Sequence, residues 1–258
     1  GFSLIASNIS TEHFVGMAGS AFGRIGLAIA SFEWTAAITL VFVGWFLLPR
    51  FLKAGIYTMP QFLEFRYDAT TRTIMSIFVM AAYIIALLAT VLYSGALALN
   101  AVFDITGMLA SKFDLSPERA EYWANFAGIW AIGVVAGAYT IYGGLKAVVW
   151  SDLLQGGALL IGGVIVTYLG FRLIGDGSVW QGWQSFSAVN ADKLHVILPW
   201  NDPDVPSLAV FFGGLWIGHI HYWGCNQFIT QRTLGAKSLA EGQKGIMLAA
   251  AIKLFIPF

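Results

Sequence analysis

Long hydrophobic stretches alternate with shorter polar loops along the whole chain. Seven of these stretches cover about residues 2–21, 25–48, 73–103, 121–141, 149–174, 207–226 and 243–258. A helix needs about 20 apolar residues to cross a bilayer. The pattern therefore predicts an all-α integral membrane protein with about seven transmembrane helices, which we call segments one to seven in chain order.

Polar residues interrupt segments one and six. In segment one they are Ser7, Asn8, Ser10, Thr11, Glu12 and His13, and in segment six they are His219, His221, Tyr222, Asn226 and Gln227. Unpaired polar groups in hydrocarbon cost several kcal/mol, so a continuous lipid-facing helix would not contain these clusters. Many secondary transporters build their binding sites from helices that are broken at mid-membrane depth. We therefore predict two discontinuous helices that offer polar groups to a small solute or ion.

The composition also fits a membrane protein, since 58% of the residues are hydrophobic and 11% are charged, whereas soluble domains carry about 25% charged residues. The net charge is zero, which gives no electrostatic case for a nucleic-acid partner. The single cysteine, Cys225, excludes an internal disulfide and a cysteine metal cluster, and we interpret it as a packing residue. The sequence has no nucleotide-binding loop and no nucleophile–base pair typical of an enzyme.

Basic residues are distributed unevenly between the loops on the two sides of the predicted membrane. Eight lie in or next to the loops 49–72, 142–148 and 227–242, against five on the opposite side. The positive-inside rule therefore places the first set in the cytoplasm and the polar loop 175–206 outside. The chain starts without methionine and ends within an apolar run, so we expect a fragment of a longer protein, truncated at both ends.

Ionisable residues at membrane depth are candidates for function because their burial is costly. Glu33 in segment two and Lys253 in segment seven together supply the acceptors and donors that sugar hydroxyls need. The alternatives are a structural ion pair and a lysine that extends to the membrane interface. Glu12 and His13 either contact a polar solute or hydrogen-bond within the interruption of segment one. Asp152 either caps a helix at the start of segment five or attracts a departing cation.

Backbone groups in segment one are candidates for binding a cation. Carbonyl oxygens at a helix end suit Na⁺. The carbonyls of Ala6 and Ile9, with Asn8 and Ser10 beside them, could therefore hold sodium.

Aromatic residues in segment six are candidates for binding a sugar. Tyr222 and Trp223 beside His219 offer ring faces next to hydrogen-bonding groups, although an aromatic belt at the membrane interface is an alternative. His219 and His221 point to different sides of a helix, which argues against a metal site.

Five sequence motifs resemble those of the sodium–solute symporter family, in particular its bacterial sodium/sugar branch. They are SLIASNISTEHFVGMAG (3–19), SFEW (31–34), TMPQFLEFRY (58–67), IYGGLKAVVWSDLLQ (141–155) and YWGCNQFITQRTLGAKS (222–238). The resemblance extends over essentially the whole chain. It implies a leucine-transporter-type fold of two inverted five-helix repeats in the cell (inner) membrane. Residues 1–174 would form the first repeat, 175–206 an external loop, and 207–258 the start of the second repeat.

The resemblance also implies sodium-coupled import of a glucose-like or galactose-like monosaccharide by alternating access, with Na⁺ as the coupling ion and no cofactor. It assigns roles to residues by position. The matched positions are Ala6 and Ile9 for sodium, His13, Glu33 and Lys253 for the sugar, Tyr222 with Trp223 beside it for the inner gate, Met17 and Phe32 for the outer gate, and Asp152 for sodium release.

Three positions depart from the sodium/galactose transporter of the resembled branch. That transporter has glutamine at the position of His13, asparagine at His219 and serine at Ala36, although mammalian sugar relatives have histidine at the first of these. The differences leave the transport mechanism intact and weaken the case for galactose itself. A symporter for an amino acid, a carboxylate or a vitamin, a sodium-independent solute-sensing domain, and a membrane-embedded enzyme stay open as alternatives.

Overall fold

The computed structural model describes residues 1–10 and 12–257, with the backbone alone of Glu12. These residues form α-helices, π-helical segments and 3-10 segments, and no strand occurs among them. The prediction of an all-α protein is confirmed. The α-helices are α1 (Phe2–Asn8), α2 (Ala18–Phe22), α3 (Ala30–Phe42), α4 (Leu48–Lys53), α5 (Met59–Arg66), α6 (Ala69–Ala82), α7 (Ala89–Phe103), α8 (Ile105–Phe113), α9 (Pro117–Ile174), α10 (Val179–Val189), α11 (Ser207–Phe212), α12 (Leu215–Ile220), α13 (Gln227–Leu234) and α14 (Leu239–Phe255). The π-helical segments are Glu12–Met17, Val43–Leu47, Tyr83–Leu88 and His221–Cys225, and the 3-10 segments are Gly26–Ile29 and Ala191–Leu194.

Segments one and six are discontinuous, as their polar interruptions predicted. Helix α1 ends where Ile9 is extended (φ −74°, ψ 123°). Between the π-segment His221–Cys225 and α13, Asn226 has nearly the same conformation (φ −75°, ψ 120°). We call Ile9 with Ser10 the first break and Asn226 the second break. The division of the chain into two inverted repeats stays a prediction.

Within the described part of the chain, three helical stretches are long and apolar enough to cross a membrane: Gly26–Lys53, Ala69–Phe103 and Pro117–Ile174. The third combines the predicted segments four and five. Within it, Gly144 alone leaves the helical conformation (φ 56°, ψ −158°), and glycine tolerates positive φ without steric cost. The prediction of a loop over 142–148 was therefore wrong, because a single glycine suffices to turn the chain between two helices.

The buried core lies where segments one, two, six and seven meet. Helices α1 and α3 pack against α14, and α1 also packs against α9. The core contains Ile5 of α1, Leu40 of α3, Ile229 of α13 and Ile246 of α14. By contrast, Ala69–Phe103 has many exposed apolar side chains, which in a bilayer would face lipid. Polar groups that point into the core from these four segments are consequently removed from both water and lipid.

The predicted external loop 175–206 is partly helical. Helix α10 packs Trp183 and Phe186 against Phe171 near the end of α9, in edge-to-face contacts of 5.6 and 5.7 Å between ring centroids. A Cβ on Gly182 would stand 1.8 Å from the Phe171 carbonyl oxygen. Only glycine therefore permits this close approach of α10 to α9.

An ionic contact attaches the rest of this loop to the end of segment one, close to α2. Arg24 donates to both carboxylate oxygens of Asp202, at 2.8 and 2.9 Å, and also pairs with Asp204. Hydrogen bonds from Arg24 hold the pKa of Asp202 well below its usual range. We call the Arg24–Asp202 pair, together with the contacts of Lys193 described next, the external latch.

Lys193 supplies the second half of the external latch. Its Nζ donates to the Phe22 carbonyl at 2.8 Å, at the end of α2. Its backbone lies against Gly26, which has φ 58°, and a Cβ on that glycine would stand 2.3 Å from the Lys193 carbonyl oxygen. The loop is thus held close to the junction between segments one and two.

Candidate functional site

The first break redirects two backbone N–H groups from the carbonyls that an uninterrupted α-helix would use. The Ser10 N–H would donate to the Ala6 carbonyl in such a helix, but it donates to His13 Nδ1 at 3.3 Å. The His13 N–H would donate to Ile9, but it donates to the Ser10 carbonyl at 3.0 Å. The break therefore deprives Ala6 and Ile9 of their α-helical donors, and these are the two carbonyls that the family resemblance assigns to sodium.

A buried ion pair lies next to the first break. Lys253 Nζ pairs with Glu33 Oε2 and donates to Asn8 Oδ1 at 2.7 Å. Lys253 is 0% exposed and Glu33 is 7% exposed, so the lysine does not extend to the interface. The ammonium also lies 5.0 Å from the centroid of the Trp223 ring, within cation–π distance. Segments one, two, six and seven thus each contribute a side chain to one buried polar cluster.

Asn8 connects the two discontinuous helices. Its Oδ1 accepts from Lys253, and its Nδ2 donates to the Tyr222 hydroxyl at 3.3 Å. The Tyr222 ring in turn contacts Trp223 edge to face, with 5.0 Å between the centroids. A displacement of the first break would therefore change the contacts of the aromatic residues in segment six.

His13 lies between the first break and the ion pair. Because its Nδ1 accepts from the Ser10 N–H, a neutral ring carries its proton on Nε2. Nε2 lies 3.6 Å from Glu33 Oε1, which is too long for a direct hydrogen bond. His13 consequently faces the carboxylate without closing a bond to it. The side chain of Glu12, the neighbouring candidate, lies outside the described part of the chain.

Three further candidates lie apart from the ion pair. His219 Nε2 stands 3.0 Å from Thr35 Oγ1, a contact that joins α12 to α3. Met17, at the end of the first π-segment, and Phe32, in the first turn of α3, are both half-buried. The roles of His219 in binding the solute and of Met17 and Phe32 in an outer gate stay predictions.

Asp152 belongs to a second buried cluster, with two residues that the sequence did not suggest. It lies well inside α9, so the interpretation as a helix cap was wrong. Its Oδ2 accepts from Ser3 Oγ at 2.6 Å and from Arg232 Nε at 3.0 Å, and the two charged side chains are about one tenth exposed. These residues lie between 80 and 229 positions apart, so no local pattern could have indicated the cluster.

A comparison with known families identifies the group of proteins whose sequences this chain resembles. The family model described as "Sodium:solute symporter family" matches residues 1–111 and 119–257. The chain belongs to the sodium:solute symporter family. The resemblance inferred from the five motifs is thereby confirmed.

Three named relatives are similar to this symporter-family chain over almost its whole length. It is 44% identical to a sodium/glucose cotransporter of Vibrio parahaemolyticus, over 100% of this chain and 45% of the relative. It is 40% identical to the uncharacterized symporter YidK of Escherichia coli (strain K12), over 99% of this chain and 43% of the relative. Sodium/glucose cotransporter 1 of Sus scrofa is 31% identical, over 100% of this chain and 39% of the relative. The chain therefore spans less than half the length of these relatives.

Proposed function

We propose that this chain forms part of a sodium-coupled symporter that imports a monosaccharide, glucose-like or galactose-like, by alternating access. The observation that carries the proposal is the cluster of the buried Lys253 and Glu33 with the half-buried Asn8. Sugar hydroxyls both donate and accept hydrogen bonds, and an ammonium, a carboxylate and an amide in one largely buried site offer both kinds of partner. His13, which faces Glu33 at 3.6 Å, would complete the set of polar contacts.

The geometry of the first break supports sodium as the coupling ion. Na⁺ binds to oxygen atoms, and the Ala6 and Ile9 carbonyls lack their α-helical donors because Ser10 and His13 direct their N–H groups elsewhere. Ser10 would be a neighbouring ligand. The membrane potential supplies about 2.3 kcal/mol for each charge that moves through 100 mV, so no cofactor and no chemical reaction are required.

Asn8 would couple the ion to the solute. Sodium at the first break would fix the backbone around Asn8, whose side chain contacts both Lys253 and Tyr222. The solute would bind between segments one, two, six and seven, and the displacement of Tyr222 beside Trp223 would open its way to the cytoplasm. Met17 and Phe32 would close the outer side. Asp152, held by Arg232, would attract the departing cation.

The proposed location is the cell (inner) membrane, as a multi-pass protein. The excess of basic residues around 49–72, 142–148 and 227–242 supports a cytoplasmic position for these loops. In this orientation the external latch would lie on the opposite side of the membrane from Asp152 and Arg232.

Uptake of labelled solutes tests the proposal. The full-length transporter that carries this sequence would be reconstituted in proteoliposomes with a panel of labelled sugars, with and without an inward sodium gradient. We expect at least one monosaccharide to accumulate only with sodium, and accumulation to collapse when the gradient is dissipated. Uptake of every tested solute without dependence on sodium would refute the symporter proposal.

A second candidate keeps the coupling and changes the solute. The Lys253 ammonium would also suit the carboxylate of an amino acid, an organic acid or a vitamin. Lys253→Gln separates the two cases, because it removes the charge and keeps a donor. Loss of sodium-dependent sugar uptake supports the sugar assignment, whereas unchanged sugar uptake removes it.

A further inference from the structure

Tyr83 connects a lipid-facing stretch of helix to the second break. It lies in Ala69–Phe103, at the start of the π-segment Tyr83–Leu88, and is half-buried among exposed neighbours. Its hydroxyl donates to Asn226 Oδ1 and accepts from the Gln227 N–H at 3.1 Å. The contact is therefore made with both a side chain and a backbone group at the discontinuity.

This contact has the function of a helix cap. The first N–H groups of a helix lack intrahelical partners and need acceptors. Asn226 precedes α13 and is of a residue type that commonly caps helices, but its side chain makes no capping bond there. The Tyr83 hydroxyl instead accepts the N–H of Gln227, the first residue of α13. An element distant in sequence thus stabilises the conformation of the second break.

An aromatic row connects Tyr83 to the solute gate. Its ring contacts Phe228 edge to face with 5.9 Å between centroids, and Phe228 contacts Tyr222 in the same manner at 5.8 Å. Tyr222 contacts Trp223, over which the Lys253 ammonium lies. Packed rings transmit displacement because they cannot overlap. A movement of the second break relative to Tyr83 would therefore shift Phe228 and remove the support of Tyr222.

We propose that Tyr83 is a positioning residue that holds the second break and, through Phe228, keeps Tyr222 in the position that closes the inner side of the solute site. The inference rests on the proposed transport function. When segment six moves to release solute, the hydroxyl must give up its bonds to Asn226 and Gln227. These bonds therefore retard opening, and their removal shortens the time for which the solute is retained.

The test compares Tyr83→Phe with Tyr93→Phe in the full-length transporter that carries this sequence. The first variant keeps the ring and removes both hydrogen bonds, and the second removes a hydroxyl that is on the same stretch and 52% exposed. One readout is the efflux of labelled monosaccharide from preloaded proteoliposomes. The other is the rate at which N-ethylmaleimide alkylates Cys225, the neighbour of Asn226, measured on its peptide by mass spectrometry. The second readout requires no knowledge of the solute.

We expect Tyr83→Phe to accelerate both processes about tenfold, because two hydrogen bonds of ordinary strength oppose opening. Tyr93→Phe should match the wild type. In a Tyr222→Ala background, Tyr83→Phe should no longer accelerate efflux, because the group through which it acts is absent. A general loss of stability would instead add to the effect of Tyr222→Ala.

The outcomes for the two proposals are separable. In one outcome, the wild type shows sodium-dependent uptake, and Tyr83→Phe has the same efflux and alkylation rates as Tyr93→Phe. This result overturns the inference about Tyr83 and leaves the proposed transport function intact. If the wild type takes up no sugar with sodium, the proposal of sugar transport fails, and equal alkylation of Cys225 in the two variants overturns the inference about Tyr83 as well. If Tyr83→Phe does not fold, Asn226→Ala removes the acceptor of the Tyr83 hydroxyl instead. Its efflux and Cys225 alkylation rates are then compared with those of the wild type.

Discussion

Removal of the Lys253 charge is the most direct perturbation of the buried cluster. Lys253→Met keeps an unbranched side chain of similar size and leaves the Glu33 carboxyl, which is 7% exposed, without its charged partner. Removal of one partner from a buried ion pair costs about 3–5 kcal/mol of unfolding free energy. Asn8 would also lose the donor that stands 2.7 Å from its Oδ1, a further loss of about 1 kcal/mol.

The double variant Glu33→Gln with Lys253→Met distinguishes the cost of leaving one charge unpaired from the cost of changing the side-chain packing. It removes both charges, and uncharged replacements of buried ion pairs are often neutral or stabilising. We therefore expect the double variant to be at least about 3 kcal/mol more stable than Lys253→Met alone. Neither variant should transport, because the solute would lose its charged partners.

The assay is reversible unfolding of the purified transporter by titration with denaturant in detergent micelles. Lys244→Met is the matched control, since Lys244 is on the same helix, is exposed, and pairs with Glu241 at 3.0 Å on the surface. A surface pair of this kind contributes about 0–1 kcal/mol. The reasoning is refuted if Lys253→Met costs no more than Lys244→Met, or if the Glu33 and Lys253 effects simply add.

Three further predictions concern the external latch, its pH dependence and the second cluster. Gly26→Ala should lower the unfolding free energy by about 2–4 kcal/mol, because it adds a clash with Lys193 to the strain of positive φ. Gly55→Ala is the control, since it has the same strain at φ 67° but open space around the new Cβ, and it should lower the unfolding free energy by about 1 kcal/mol. Equal losses in the two variants would contradict the proposed clash. The external latch should also weaken in acid, because Arg24 lowers the folded-state pKa of Asp202. The stabilisation by this pair is therefore fully present above the usual aspartate pKa of about 3.9 and is lost as the pH falls through the lower folded-state pKa. Between pH 5 and pH 2, a window around the ~3.9 of a free aspartate, the unfolding free energy should fall less steeply in Asp202→Asn than in the wild type. Identical slopes would show that the Arg24–Asp202 pair does not cause the loss of stability in acid. Arg232→Gln should cost about 3–5 kcal/mol, because it leaves the carboxylate of the second cluster buried without its charged partner; denaturant titration would measure the loss, and a loss below about 1 kcal/mol would mean that the pair is effectively solvated.

The sequence predicted those features of the fold that depend on neighbouring residues. Segments one and six could be identified as broken because polar residues within about ten positions of one another contradict an otherwise apolar pattern. The loop expected over 142–148 was wrong, because the pair Gly143-Gly144 has the composition of a loop while only Gly144 leaves the helical conformation. Hydropathy reports which residues are polar and does not report how many are needed to turn the chain.

The contacts within the site depend on distant residues and were less accessible. Glu33 and Lys253 are 220 positions apart. The cost of burying charge in a membrane identified each as a candidate, and the family resemblance then matched both to the solute. Tyr83 gave no signal, because a tyrosine in an apolar helix is equally expected at the lipid interface. The position of its hydroxyl beside the second break and its contact with Phe228 distinguish it from the exposed Tyr93.

The Lys253–Glu33–Asn8 cluster has a consequence for selectivity. Its donors and acceptors satisfy one another, so an arriving solute exchanges existing bonds for new ones and gains little net free energy from each. An analogue that lacks one hydroxyl would still separate the charges but would leave one of them without a replacement partner in a dry interior, where an unmet polar group costs about 1–3 kcal/mol. In the proposed transport function, such a site would discriminate strongly among similar molecules while it binds its own solute only moderately. That combination would allow rapid release after each cycle.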